Sequence, residues 1–238
     1  MPVPAYTVRC TGNERIAASV HELRFRRPAD FNFAPGQFVL FSVPLSTDAA
    51  DLQPRAYSIA SAPEEADLRF VIKLKEGGRA STWVERQLRQ GADVQMQGPL
   101  GMFRFDTQWS GDALFLCTGA GIAPFRSMIL HALQAGYPRR IDLVMGCPTQ
   151  RHLFWQGELA ALAQQYPQFH SHTILSEPEG EWQGMRGFVQ DAVPKAVPDY
   201  RERSIYVCGN PLMTGVVKDL ALSAWGIPKE RFHMEGYI

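Results

Sequence analysis

The sequence predicts two domains: an antiparallel Greek-key β-barrel over residues 1–106, then an α/β domain with a five-stranded parallel sheet over residues 107–238. Three observations predict it. Up to Asp106, short runs rich in Val, Phe, Ile and Tyr are broken by Pro, Gly, Asn and Asp, as in small antiparallel barrels. Beyond it, nearly all-apolar runs alternate with helical segments, the pattern of a parallel sheet covered on both faces. A chain of 238 residues is also long enough for two domains that each close a core.

In the first half, AYTVRCTGN, VHELRFRRP, QFVLFSVP, RAYSIAS, LRFVIKLKE and ADVQMQG read as strands, with a turn at Pro35-Gly36. One helix interrupts them, with Ser81 and Thr82 as caps and Gly91 as its stop. In the second half, ALFLCT, RIDLVMGC, FHSHTILS, SIYVCG and RFHMEGY read as the five strands. PFRSMILHALQAG, FWQGELAALAQQY, GFVQDAVPKAV and NPLMTGVVKDLALSAWG read as the helices between them. The switch falls around Thr107–Asp112.

Composition narrows the function. There are 24 Lys and Arg against 24 Asp and Glu, so no net positive charge suits the chain to nucleic acid. No apolar run approaches the roughly 20 residues that span a bilayer. The amino terminus lacks a basic and apolar leader pattern, and the four cysteines, Cys10, Cys117, Cys147 and Cys208, are far apart. These features read as a protein of the reducing cytoplasm with no zinc site or closely ligated iron–sulfur cluster.

Two glycine turns follow predicted parallel strands, where such sheets bind ligands. Thr118-Gly119-Ala120-Gly121-Ile122-Ala123-Pro124 follows ALFLC, and Cys208-Gly209-Asn210-Pro211 follows SIYV. Glycine lets backbone amides approach a pyrophosphate, and the following helix start favours an anion. Neither turn has the G-x-G-x-x-G spacing, but together they favour a nucleotide site. In the first half, Arg55-x-Tyr57-Ser58 could offer a guanidinium to a diphosphate, a ring to an aromatic cofactor and a hydroxyl to a ring nitrogen. Gly77-Gly78-Arg79-Ala80-Ser81-Thr82 could cradle the same diphosphate, or be an ordinary turn and cap.

Taken in order, Pro35-Gly36-Gln37, Arg55-Ala56-Tyr57-Ser58, Gly78 to Ser81, Gly98-Pro99-Leu100-Gly101, Thr118 to Pro124, Cys208-Gly209-Asn210-Pro211 and Glu235-Gly236-Tyr237 resemble the ferredoxin–NADP reductase family over nearly the whole chain. The resemblance implies an FAD-binding barrel followed by a pyridine-nucleotide domain. It places Arg55 on the FAD diphosphate, Tyr57 against the isoalloxazine and Ser58 near flavin N5. Ile72 and Lys73 would lie along the flavin, with Gly78 and Ser81 at the diphosphate. Thr118, Gly119, Gly121 and Gly209 would hold the NADH or NADPH. Cys208 would sit against the nicotinamide with Glu235 close by, and Tyr237 would cover the flavin until the nicotinamide displaces it. Hydride transfer would need both rings stacked in the crevice between the domains.

Three departures from the family pattern matter. Ile238 follows the terminal tyrosine. Glu177 follows Ser176 where NADP-using relatives tend to carry an arginine, which leans the reading towards NADH, although Arg151 and Arg186 could still meet a phosphate. No ferredoxin-like cysteine run is present. The implied activity is electron transfer from NAD(P)H through FAD to a separate carrier, ferredoxin or flavodoxin. A reductase of free flavin and an electron-transfer subunit of a larger complex are the alternatives. Arg24 and Arg26, on one strand face, would suit an acidic carrier; a solvated edge strand would look the same.

Overall fold

The computed structural model describes residues 3–48 and 50–237. The chain forms two compact units, Met1–Arg104 with Ala123–His131, and Phe105–Ile122 with Ala132–Ile238.

The first unit is built on six strands: β1 (Ala5–Ala17), β2 (Val20–Arg26), β3 (Phe38–Pro44), β4 (Leu52–Ser58), β5 (Asp67–Lys73) and β6 (Asp93–Leu100). They pair in the order β4-β3-β6-β1-β2-β5, antiparallel throughout. β1 is long enough to pair with β6 through one half and β2 through the other. Burial alternates along β3 and β6, so every second side chain faces the core. There Phe41 meets Phe25 and Phe70 at ring separations of 5.0 and 4.9 Å. Each buried phenylalanine contributes roughly 1.5–3 kcal/mol. Beyond β4, Ala60 N–H donates to Arg69 O at 2.8 Å and Arg69 N–H to Ser61 Oγ at 3.2 Å, which brings the two outer strands together as in a barrel.

Three readings of this unit change. β4 starts at Leu52 and so includes Pro54, which an outer strand tolerates because its missing N–H breaks no interior ladder. β2 lies between β1 and β5 and is no edge strand; Arg24 pairs at 2.6 Å with the buried Glu22, which offsets its charge. Ser81 does not cap its helix. Helix α1 (Arg79–Thr82) starts two residues earlier and runs into a π-helical turn, Trp83–Gln87, while Ser81 Oγ accepts from Lys75 N–H at 2.7 Å.

The second unit is built on β7 (Ala113–Thr118), β8 (Ile141–Cys147), β9 (Phe169–Leu175), β10 (Met185–Arg186), β11 (Ser204–Gly209) and β12 (Phe232–Gly236). Their order is β10-β9-β8-β7-β11-β12, all parallel. The sheet therefore has six strands, not five. The added β10 is two residues long and makes no apolar run of its own. β8 and β11 are buried along their whole length, as strands covered on both faces must be. Helices α2 (Ile122–Gln134), α3 (Gln156–Gln165), α4 (Val189–Ala196) and α5 (Pro211–Leu222) make the crossovers. Val189 and Val193 of α4 and Val217 and Ala221 of α5 pack with Leu114, Leu116, Val144 and Val207 in one cluster. At the amino ends of the strands, Asp142 accepts from Arg203 at 2.6 Å, from Arg140 at 2.8 Å and from His172 at 2.8 Å.

Candidate functional site

In the parallel sheet the chain runs from β7 outward through β8 and β9, then returns to place β11 on the other side of β7. The order thus reverses between β7 and β11, and ligands of open α/β sheets bind beyond the carboxyl ends of the strands at such a point. Thr118 ends β7, and Cys208-Gly209 ends β11. The two glycine turns meet there. A Cβ on Gly121 would lie 2.7 Å from the Cα of Gly209, and one on Gly209 would lie 2.9 Å from Thr118 O. Neither place has room for a methyl group. Asn210 fastens the turns, donating from its N–H to Thr118 Oγ1 at 3.1 Å and accepting from Leu212 N–H at 2.8 Å as the cap of α5. Pro211 opens that helix without wasting a donor.

The carboxyl-terminal strand completes the rim. Glu235 stands opposite Cys208 in the β11–β12 register. Tyr237 N–H donates to Gly209 O at 3.2 Å, and its hydroxyl to Ala120 O at 3.5 Å. The side chain of Tyr237 is also hydrogen-bonded to Cys208. Burial pushes the Cys208 thiol up to about 12, the bond to Tyr237 opposes this and the Glu235 charge adds to it. Cys208 is therefore a neutral, covered thiol at physiological pH. Thr118, Gly119, Gly121, Cys208, Gly209, Glu235 and Tyr237 are thus gathered at one rim. Ile238 lies outside the described residues.

A second set of predicted residues sits on the barrel. Arg55 donates to Pro54 O and to Gln53 Oε1, both at 2.8 Å, and pairs with no carboxylate among the described residues. Tyr57 is half-buried beside Phe41, at 6.1 Å between rings, and burial pushes its phenol up to about 12 against the opposing charge of Arg55. Ser58 is buried at the end of β4. Five antiparallel pairings in series leave β4 and β5 running in opposite directions. Followed from the Ala60–Arg69 bond, Ser58 and Tyr57 on one strand therefore accompany the stretch towards Ile72 and Lys73 on the other. Ile72 is buried and Lys73 exposed. Gly77 turns with φ of +67°, and Gly78 N–H donates to Lys75 O at 2.9 Å before α1.

Two features here were not anticipated. Arg79 forks onto Asp51 at 2.7 and 3.1 Å and so fastens α1 to the segment before β4. Arg126 of α2 reaches Ala60 O at 2.7 Å and Glu65 at 2.6 Å. The partners lie 28 and 61 residues away in sequence, with no local pattern to announce them.

Where Glu177 lies, the end of β9 runs beside the end of β8, with Glu177 N–H donating to Pro148 O at 2.8 Å. Arg151 is paired with Glu179 at 3.0 Å, and the Gln150 side chain brackets the Glu179 backbone from both sides, at 2.7 and 2.9 Å. Arg186 donates to Trp182 O at 3.3 Å. Among the described residues no group of three or more His, Cys, Asp or Glu could hold a metal, and no helix is long and apolar enough to cross a membrane.

Residues 7–105 match the family of oxidoreductase FAD-binding domains, and residues 115–219 the family of oxidoreductase NAD-binding domains. The chain is 33% identical to ferredoxin–NADP reductase B of Sorangium cellulosum, over 98% of this chain and 97% of that protein. It is 30% identical to the ferredoxin–NAD(P)(+) reductase component of the naphthalene 1,2-dioxygenase system of Pseudomonas putida, over 91% of this chain but 66% of that longer protein. Among solved structures, the cytochrome P450 reductase GcoB of Amycolatopsis superposes with a TM-score of 0.87 at 26% identity, over 99% of this chain and 71% of that one. The ferredoxin NADP+ reductase of Neisseria gonorrhoeae with bound FAD and NADP superposes at 0.82 over 98% of both chains; at 20% identity this shows the common fold.

Proposed function

The chain belongs to the ferredoxin–NADP reductase family, with that family's FAD-binding and NAD-binding oxidoreductase domains, and from this premise we propose that it oxidises NADH and passes the electrons to a separate ferredoxin-type carrier. FAD supplies the step between the two, since it accepts electrons as a pair and releases them singly.

The residues of the barrel suit FAD. Arg55 is a cation with no carboxylate partner among the described residues, as a diphosphate requires. Gly77, at φ of +67°, has no atom within 4 Å of where a side chain would stand, which leaves space before α1 for a diphosphate. Tyr57 stays a neutral phenol with its ring available for packing, and Ser58 offers a hydroxyl from a buried strand end that excludes water. In the sheet, Thr118 and Gly119 orient the nucleotide pyrophosphate, and Gly121 and Gly209 keep the rim free of side chains. Cys208 presents a small neutral surface to the nicotinamide, and Glu235 beside it holds a charge near that ring. Tyr237 covers Cys208 until the ring displaces it.

The lean to NADH rests on charge. Glu177 is exposed at the strand end where a ribose is met, and a carboxylate there accepts from hydroxyls and repels a 2′-phosphate. Arg151 already pairs with Glu179, which weakens it as a phosphate ligand. A separate carrier fits the likeness to ferredoxin–NADP reductase B, which this chain matches over 97% of that protein's length.

The observation that carries the proposal is the meeting of the two glycine turns at the reversal point of the sheet. The visible spectrum of the FAD-loaded protein tests it, with NADH and NADPH added separately without oxygen. Flavin bleaching, faster with NADH, is expected. A protein that retains no FAD, or whose flavin neither nucleotide bleaches, sinks the proposal; faster bleaching by NADPH sinks the assignment of Glu177.

A further inference from the structure

Arg126 is a polar residue on a helix whose residues Ala123–His131 pack within the barrel unit, and it is only 5% exposed. One nitrogen donates to Ala60 O at 2.7 Å and to Glu65 at 2.6 Å, and the other to the second Glu65 oxygen at 2.9 Å. Glu65 is itself fixed, accepting from Ala62 N–H at 2.7 Å and standing 3.6 Å from Arg69. Arg69 continues to Glu22 at 2.7 Å, and Glu22 to Arg24 at 2.6 Å. Charges alternate along this row, so each of its two carboxylates meets two arginines. Arg126 is its most buried arginine, and it also binds backbone at Ala60 O.

The backbone it binds is two residues beyond Ser58. Ile59 N–H donates to Gln37 O at 2.9 Å, Ala60 N–H to Arg69 O at 2.8 Å, and Ala60 O accepts from Arg126. Three hydrogen bonds from three different segments therefore bracket the dipeptide that follows Ser58. A strand end held in this way fixes the Cα–Cβ bond of Ser58, and with it the region that the hydroxyl can reach.

We infer that Arg126 is a positioning residue, which through Ala60 holds the end of β4 so that Ser58 keeps a fixed orientation towards the flavin. The forked pair with Glu65 fixes the guanidinium in turn. This rests on the reading that Ser58 borders the flavin.

The test uses the FAD-loaded full chain with Arg126→Lys, which keeps the charge but cannot fork, alongside Ser58→Ala and the double variant. Arg126→Lys is expected to bind FAD within about threefold of the parent affinity while flavin reduction by NADH slows about tenfold. The visible absorption envelope of its bound FAD shifts as in Ser58→Ala. In the Ser58→Ala background, Arg126→Lys adds less than about twofold. Losses that multiply in the double variant overturn the inference, because Arg126 then acts independently of Ser58. So does an Arg126→Lys protein that melts earlier and releases FAD while its loaded fraction reduces at the parent rate. Normal reduction by Ser58→Ala alone overturns the role of Ser58 and this inference with it, and that result is recognised in a protein with Arg126 intact. Should Arg126→Lys fail to fold, Glu65→Gln is expected to give the same spectral and kinetic changes at smaller size, and no change in either overturns the inference.

Discussion

Asp142 and Arg203 form an ion pair of 2.6 Å in which neither side chain has any exposure. It lies at the amino ends of the parallel strands, away from the glycine turns, and Arg203 also forks onto Asp199 at 2.8 and 2.9 Å. Its role is therefore in stability. Asp142→Asn leaves the guanidinium buried beside a neutral amide and is expected to cost about 3–5 kcal/mol, read from the denaturant midpoint. The folded fraction should keep the parent affinity for nucleotide. A loss under about 1 kcal/mol would show that Asp199 alone satisfies Arg203.

The same carboxylate gives the protein an acid limit. Burial would raise Asp142, but the hydrogen bonds of His172 and Arg140 and the charge of Arg203 outweigh it and hold the carboxyl at about 2, against an ordinary 3.8. A depressed folded value means stability present above pH 3.8 and lost as pH falls towards 2. The contribution is about 2 kcal/mol. Acid unfolding followed by circular dichroism should be steeper across this window in the parent than in Asp142→Asn. Superimposable slopes would contradict it.

Glu177→Gln removes the charge proposed to repel a 2′-phosphate. The ratio of kcat/KM for NADPH to that for NADH is expected to rise about five- to tenfold, mostly through the KM for NADPH. An unchanged ratio would move the discrimination elsewhere.

The cysteines should be inert in the folded protein. All four are buried, and Cys208 and Cys117 are both pushed up by burial. An aromatic disulfide reagent at pH 8 is expected to find almost no thiol within minutes, and four after unfolding. Tyr237→Ala uncovers Cys208 and should expose one thiol that added nucleotide protects. Rapid labelling of the parent would contradict the packing of Tyr237 over this strand end.

Gly121→Ala forces a methyl group onto the Cys208-Gly209 backbone. Nucleotide affinity should fall more than about tenfold while FAD retention stays at the parent level. Equal loss of both would mean that the variant has unfolded, which the melting curve would report.

Much of this was legible in sequence because it depends on local pattern. Runs such as Ala113–Thr118 and Ser204–Gly209 are apolar throughout, and the glycines at 119, 121 and 209 stand at their ends. β10 escaped because two residues among Glu, Trp and Gly carry no periodic signal. Ser81 misled because a serine near a helix start is usually its cap, whereas here its hydroxyl is spent on Lys75 N–H inside the first turn. Arg126 and Arg203 were out of reach. An arginine's carboxylate partner 61 residues away is fixed by how the elements pack, and the sequence of either segment alone does not encode it.

The contact between Gly121 and Gly209 also bears on how the chain is made. These residues are separated by β8, β9 and β10 with helices α2, α3 and α4, so a growing polypeptide emerging from the ribosome presents the first turn long before the second exists. β7, β8 and β9 can pair as they appear, yet the place where the turns lean on each other is assembled only when β11 docks beside β7. Competence to hold a nucleotide should thus arise late in synthesis and in one step.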